Sequence, residues 1–189
     1  MGGHTAFFYG TLMAREILFR VCYGTSNIQD NPILKKRAAA LSIRPALLHD
    51  YSRRKVQYAD YPAIISQKGH SVRGTYVTGL TDSDIAHLDM FEGSEYARKK
   101  VKVVILEDGH EKGESVEAQS YIWSASVDRL EEQEWDYEEF RKEKMHFWTD
   151  ASEEFADLDH GDDHYANGDH GFIVELDDDT EKDMLHAAA

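Results

Sequence analysis

What the 189-residue chain lacks narrows its possibilities first. It has one cysteine, Cys22, so no intrachain disulfide can form, the pattern of a reducing compartment. Its apolar runs are only a few residues long, so no membrane-spanning helix is expected. Basic residues almost vanish after Trp148. Residues 1–148 hold 22 acidic and 20 basic side chains, whereas residues 149–189 hold 14 acidic and 1 basic, which puts −13 of the −15 net charge in that last stretch. Such a like-charged segment, poor in large apolar side chains, cannot offset the entropy of ordering. The chain is therefore expected to divide into a domain over 1–149 and an acidic, disordered tail over 150–189, whose protein partner, if it has one, the sequence does not name. The tail would repel nucleic acid and no basic patch stands out, so a polyanionic partner is not expected. Arg53-Arg54-Lys55, the one basic run near the middle, reads as a solvated strand or turn. The N-terminus has no basic region ahead of its apolar residues and reads as a strand, not a secretion signal. Ala6 stands where a myristoylation signal needs Ser or Thr. A cytoplasmic location is the expectation.

What is present is enough for one core, at 41% hydrophobic residues. His4 to Tyr9 is a short apolar run ending at Gly10, which suits a buried strand. Ala14 to Cys22 places Ile17, Leu18, Val21 and Cys22 on one helical face, with Gly24 as a stop. Arg37 to Leu48 reads as a strand in which Pro45 marks an edge or a bulge. Val56 to Ala59 and Ala63 to Gln67 read as short strands flanking Pro62, and Val72 to Leu80 as another. Thr81 begins a helix with Asp84 three residues on, Ile85, Leu88 and Phe91 on one face, and Gly93 at its end. Ala97 to Leu106 and Ser115 to Trp123 are strands around an Asp108-Gly109 turn. Tyr137 to Trp148 reads as a helix with a stripe of Tyr137, Phe140, Lys144 and Phe147 or Trp148. About six strands, mostly mid-chain, with helices after the first strand, after Leu80 and at the end, make the fold α+β with a curved, barrel-like sheet. No repeat of fixed period is present. A doubly wound parallel fold is not expected, because the strands are not each followed by a helix.

Two segments carry candidate chemistry. In Phe8-Tyr9-Gly10-Thr11-Leu12-Met13 a buried strand meets a helix. Thr11 can cap that helix, and the unpaired N–H groups at its positive end suit a carboxylate or a developing oxyanion. Gly10 lets a ligand approach the backbone. The same residues also suit an ordinary capped junction. In Leu88-Asp89-Met90-Phe91-Glu92-Gly93-Ser94-Glu95-Tyr96-Ala97-Arg98, Glu92 sits beside bulky Phe91 after an apolar helix face. A carboxyl partly desolvated there can shuttle protons near neutrality. An exposed Glu at a helix end is the plain alternative.

Together with Tyr61-Pro62-Ala63-Ile64, Val72-Arg73-Gly74, Tyr121-Ile122-Trp123 and Glu134-Trp135-Asp136-Tyr137-Glu138-Glu139-Phe140, these two segments resemble, in consistent order over roughly residues 5–149, the gamma-glutamylcyclotransferase-like superfamily. The last pair of motifs is similar to the branch named for plant avirulence-induced genes. The resemblance implies a small mixed β-barrel flanked by helices. It also implies a small-molecule substrate, a gamma-glutamyl amine or gamma-glutamyl-linked peptide, cyclised to 5-oxoproline with release of the amine. By the same resemblance Tyr9 to Leu12 hold the glutamyl head through backbone groups, and Glu92 is the catalytic acid/base. Tyr96 and Tyr121 fall on the family's tyrosines. No metal or redox cofactor is implied. The tail has no counterpart in the resemblance.

Other reactive residues have plainer readings. A lone Cys22 on an apolar helix face suits core packing better than nucleophilic catalysis. His160, His164, His170 and His186 lie among tail aspartates. The segment from Asp163 breaks the calcium-loop pattern at its third position and ends in Val174 where a Glu is needed, so a structured metal site is not expected. Phe172-Ile173-Val174 suits a short docking strand. Trp135, Tyr137, Phe140 and Trp148 suit core or edge packing.

Overall fold

The computed structural model describes residues 3–150. The acidic segment beyond Asp150, with its histidines, the calcium-loop-like stretch and Phe172-Ile173-Val174, lies outside the described residues. Five strands form the sheet: β1 (His4–Phe8), β2 (Ser42–Lys55), β3 (Pro62–Leu80), β4 (Tyr96–Glu107) and β5 (His110–Trp123). Helix α1 (Arg15–Tyr23) follows β1, α2 (Pro32–Ala39) precedes β2, and α3 (Asp82–Glu92) joins β3 to β4. Two short helices, α4 (Tyr137–Glu143) and α5 (Met145–Asp150), come last. The strand order β1-β3-β2-β4-β5 closes on itself. Every neighbouring pair is antiparallel except β1 with β5, which meet in parallel at Ala6 and Gln119. The mixed α+β architecture is as expected.

Alternation along β1 shows how the core divides. Phe7 and Tyr9 join an apolar cluster with Leu48, Val72, Val103, Ala118 and Ile122, drawn from all five strands and no helix, which is the barrel interior. Ala6 and Phe8 point the other way and pack with Ile17, Leu18, Leu88 and Phe91 from α1 and α3. A strand's period of two thus serves two cores at once.

Local signals behave as the sequence suggests at several ends. Gly24 closes α1 in the left-handed region (φ 73°). The Thr81 side chain accepts from the Asp84 N–H while Asp84 accepts from the Thr81 N–H, a complete capping box. Asp108 (φ 51°) and Gly109 (φ 78°) make the β4–β5 turn. Cys22 is buried core. Trp135, Phe140 and Trp148 are buried and pack edge or tilted against one another.

Other elements differ from the reading, each for a local reason. Residues 37–39 are helical. The Asn31 side chain accepts from the Ile33 and Leu34 N–H groups (3.0 and 3.2 Å) with Pro32 in the first turn, so a capped helix ends only at Ala39 and the strand starts at Ser42. Pro45 sits beside the segment of β2 that β4 pairs, Ala46 to Leu48, a place where a strand tolerates proline. Val56 to Ala59 is a turn, with Tyr58 left-handed (φ 60°) and a single bridge from Val56 to Leu130. The segments 63–67 and 72–80 are one strand, β3. It bulges opposite Asp50, whose carboxylate accepts the Gly69 N–H at 2.9 Å, and so the strands among the described residues number five. The final helix breaks at Lys144, leaving Phe147 exposed and Trp148 buried.

Gly74 is the tightest packing point. A Cβ there would lie 2.2 Å from the Phe8 carbonyl oxygen and 2.6 Å from the Phe7 ring, so β1 can approach β3 only over a glycine. Gly74→Ala is expected to cost about 2–3 kcal/mol, the upper part of the overpacking range. A lowered urea midpoint in equilibrium unfolding checks this, and an unchanged midpoint contradicts it.

Candidate active site

The first half of the site is the exit from β1. Tyr9 continues the strand's alternation inward, and Gly10 (φ −124°, ψ −139°) redirects the chain. Residues Thr11–Met13 then form one 3-10 turn, closed by Met13 N–H to the Gly10 carbonyl (3.0 Å) and Ala14 N–H to the Thr11 carbonyl (3.1 Å). Helix α1 starts only at Arg15, behind Ala14, with no side-chain cap. Thr11 therefore does not cap α1, because it lies inside a turn that ends before the helix begins. Phe8, Tyr9, Thr11 and Leu12 are buried; Met13 is half-buried.

The second half is the end of α3. Glu92 is its last residue, stopped by Gly93 (φ 70°), and its side chain is completely buried. The plain alternative of an exposed helix-end glutamate does not hold. Three buried phenols feel its charge. Tyr9 is raised well above the usual tyrosine pKa by burial first and the Glu92 charge second. Burial is also the leading cause for Tyr96, followed by Tyr9 and Glu92, and for Tyr121, followed by Glu92 and the hydrogen bond to Asp89. All three phenols stay neutral at physiological pH and act as donors. Tyr9 donates to the Tyr121 carbonyl at 2.6 Å, Tyr96 to the Pro62 carbonyl at 3.1 Å, and Tyr121 to Asp89 Oδ1 at 2.8 Å. Asp89 is held in turn by Arg98 at 2.8 Å. The structure thus gathers Glu92, Tyr9, Tyr96 and Tyr121, which are spread over 112 positions of sequence, and packs Leu12 in the same apolar cluster as Tyr96 and Tyr121.

Two residues of this neighbourhood were not singled out from sequence. Asp89 lies three positions before Glu92, so the two carboxylates share one side of the helix, a spacing legible in the sequence. Arg53 was read as part of a solvated basic run. Instead its side chain is only 10% exposed, and its Nη1 donates to the Tyr9 carbonyl at 2.8 Å. No pattern in the sequence distinguishes it from Arg54. On the outer side Trp148 covers Phe91 edge-on, with ring centroids 6.3 Å apart.

The raised phenols set the alkaline behaviour. Their folded pKa values exceed the unfolded value of about 10, so the stability they contribute is complete below about pH 10 and is lost as pH rises toward the folded values. In a pH titration followed by phenolate absorbance, Tyr9, Tyr96 and Tyr121 should stay un-ionised after the exposed tyrosines have titrated, and denaturant should release them. Ten equivalents titrating together near pH 10 in the folded protein would contradict the buried cluster.

The chain has relatives. "Protein AIG2 C" of Arabidopsis thaliana is 36% identical over 97 residues, 51% of this chain and 56% of that protein, so this match spans little more than half the relative's length. "AIG2-like protein D" of the same plant is 30% identical over 154 residues, 82% of this chain and 90% of that protein. A solution structure from Arabidopsis thaliana shares the fold with a TM-score of 0.53 at 24% identity, covering 86% of this chain and 87% of its own. The family described as "Gamma-glutamyl cyclotransferase, AIG2-like" matches residues 6–141. From β1 through α4, then, the chain belongs to the AIG2-like gamma-glutamyl cyclotransferase family.

Proposed function

We propose that the protein cyclises a gamma-glutamyl amine or gamma-glutamyl-linked peptide to 5-oxoproline, releasing the amine, with Glu92 as general acid/base. The observation that carries this reading is the fully buried Glu92 carboxyl, whose charge is felt by the buried phenols of Tyr9, Tyr96 and Tyr121. Family membership supports the reaction class.

The chemistry needs little beyond position and proton transfer. The free α-amine attacks the side-chain carbonyl carbon, a C–N bond forms to close a five-membered ring, and the C–N bond to the other amine breaks. Both reacting groups belong to one molecule, so holding them in line supplies up to roughly 7–11 kcal/mol of barrier reduction. Glu92 takes the proton lost by the attacking amine and returns it to the departing one, so the carboxylate is restored each cycle. Backbone N–H groups of Gly10 to Leu12, ahead of the Met13 N–H that closes the turn, bind the glutamyl carboxylate or the tetrahedral oxyanion. The phenols of Tyr96 and Tyr121 stay neutral, so they add no negative charge beside Glu92. No step calls on a metal or redox cofactor. In this reading residues 1–149 are the catalytic unit, the 150–189 tail stands apart from it, and the enzyme works in the cytoplasm on a small molecule.

The complete enclosure of Glu92 favours a second reading, a site kept for binding rather than turnover.

The test is release of 5-oxoproline from a panel of gamma-glutamyl amines. Glu92→Gln should lower kcat by about a hundred- to ten-thousand-fold, the range of general acid–base catalysis, while its unfolding midpoint stays at or above that of the parent protein. Near-normal turnover by this variant overturns the role of Glu92. Saturable binding of gamma-glutamyl ligands by the parent protein without turnover supports the second reading.

A further inference from the structure

Arg53 is the least expected participant near the turn. It leaves β2 and reaches over β3 to the end of β1. Nη1 donates to the Tyr9 carbonyl at 2.8 Å and to the Arg73 carbonyl at 3.3 Å, and Nη2 to Glu134 at 3.3 Å. The guanidinium carbon lies 5.5 Å from the centre of the Trp135 ring, and Trp135 is itself fixed by its indole N–H to the Asp60 carbonyl at 2.8 Å. A planar guanidinium held on two edges and one face has little freedom left. Arg53 thus ties three places in the chain together: the site turn at Tyr9, the Arg73-Gly74 segment that lets β1 approach β3, and the Glu134-Trp135 segment ahead of α4.

What this does to the turn follows from the peptide group. No peptide bond among the described residues is cis. In a planar trans peptide the carbonyl of one residue and the N–H of the next point in opposite directions. Arg53 holds the Tyr9 carbonyl on its own side, so the Gly10 N–H is aimed at the other. A glycine lacks the side chain that would otherwise restrain that plane, and an unheld Tyr9–Gly10 unit is the easiest one in the turn to rotate. We propose that Arg53 is a positioning residue that fixes the Tyr9–Gly10 peptide plane, aiming the Gly10 N–H into the turn as a ready-made donor for the glutamyl carboxylate. The ligand in this statement rests on the function proposed above; the control of the peptide plane does not.

A donor to a group that is charged in both substrate and transition state contributes uniform binding. Losing its alignment raises KM and leaves kcat. Glu92 lies at the opposite element, and its substitution acts on kcat, so the two roles are separable.

The experiment has two arms on the full chain. In the first, amide NMR without ligand compares the parent protein with Arg53→Lys and Glu134→Gln. Arg53→Lys should displace the Gly10 amide resonance and speed its exchange several-fold, with Gly93 unmoved as an internal reference. Glu134→Gln removes only the outer clasp from a side chain 70% exposed, so the fold is secure, and a smaller displacement in the same direction is expected. A Gly10 amide unmoved in both variants overturns the proposal. If Arg53→Lys does not fold, Glu134→Gln decides alone. In the second arm, Arg53→Lys should raise KM for a gamma-glutamyl amine roughly tenfold with kcat within about twofold. A fall in kcat with unchanged KM overturns the proposed role. If the parent protein turns over no gamma-glutamyl amine, the proposed function fails and the first arm still decides whether Arg53 sets the peptide plane.

Discussion

Strand β1 has only five residues, yet both seams that close the barrel run along it. It pairs with β3 through an antiparallel ladder that shifts register between His4 and Thr5, and touches β5 at one parallel position. Its alternating side chains divide between the barrel interior and the layer under α1 and α3. A chain with so many obligations has almost no freedom to shift register, because a slip by one residue would exchange Phe7 and Phe8 between two different cores. The turn after it starts from that fixed position, with Arg53 holding the Tyr9 carbonyl.

Electrostatics at the other end of the site follow from the same closure. Glu92 ends its helix buried inside the protein, and the phenols of Tyr9, Tyr96 and Tyr121 are kept neutral by burial and by its charge. Positive charge stands one layer away, at Arg98 on Asp89 and at Arg53 on the Tyr9 carbonyl. The three tyrosines that feel its charge are already committed to backbone carbonyls or to Asp89.

Some of this was legible in the sequence because local rules sufficed. The capping box at Thr81, the stop at Gly24 and the Asp108-Gly109 turn each depend on two or three neighbouring residues, and each appears where those residues stand. The helix that ends at Glu92 was legible through an apolar face followed by a glycine, but the burial of its carboxyl was not, and only the family resemblance singled that residue out. Elements that depend on distant partners were not. The run from Arg37 onward looks like a strand until Asn31 and Pro32 are seen to start a helix that carries Arg37 to buried Asp84, at 2.6 Å. Val56 to Ala59 has strand-like residues but no continuous partner. Arg53 and Arg54 are indistinguishable in sequence, and only the approach of Trp135 and the Tyr9 carbonyl, about eighty residues later and forty earlier, separates them.

The parallel contact between Ala6 and Gln119 has a consequence for how the molecule comes into being. The first of the described strands has one partner around residue 75 to 80 and another more than a hundred residues downstream. During synthesis it must wait, apolar and unpaired on that edge, until most of the domain has left the ribosome. Loop closure over such distances is slow, and waiting strands are where chains associate wrongly. Barrel closure therefore has to follow the synthesis of β5, the strand that also carries Tyr121 to the candidate site.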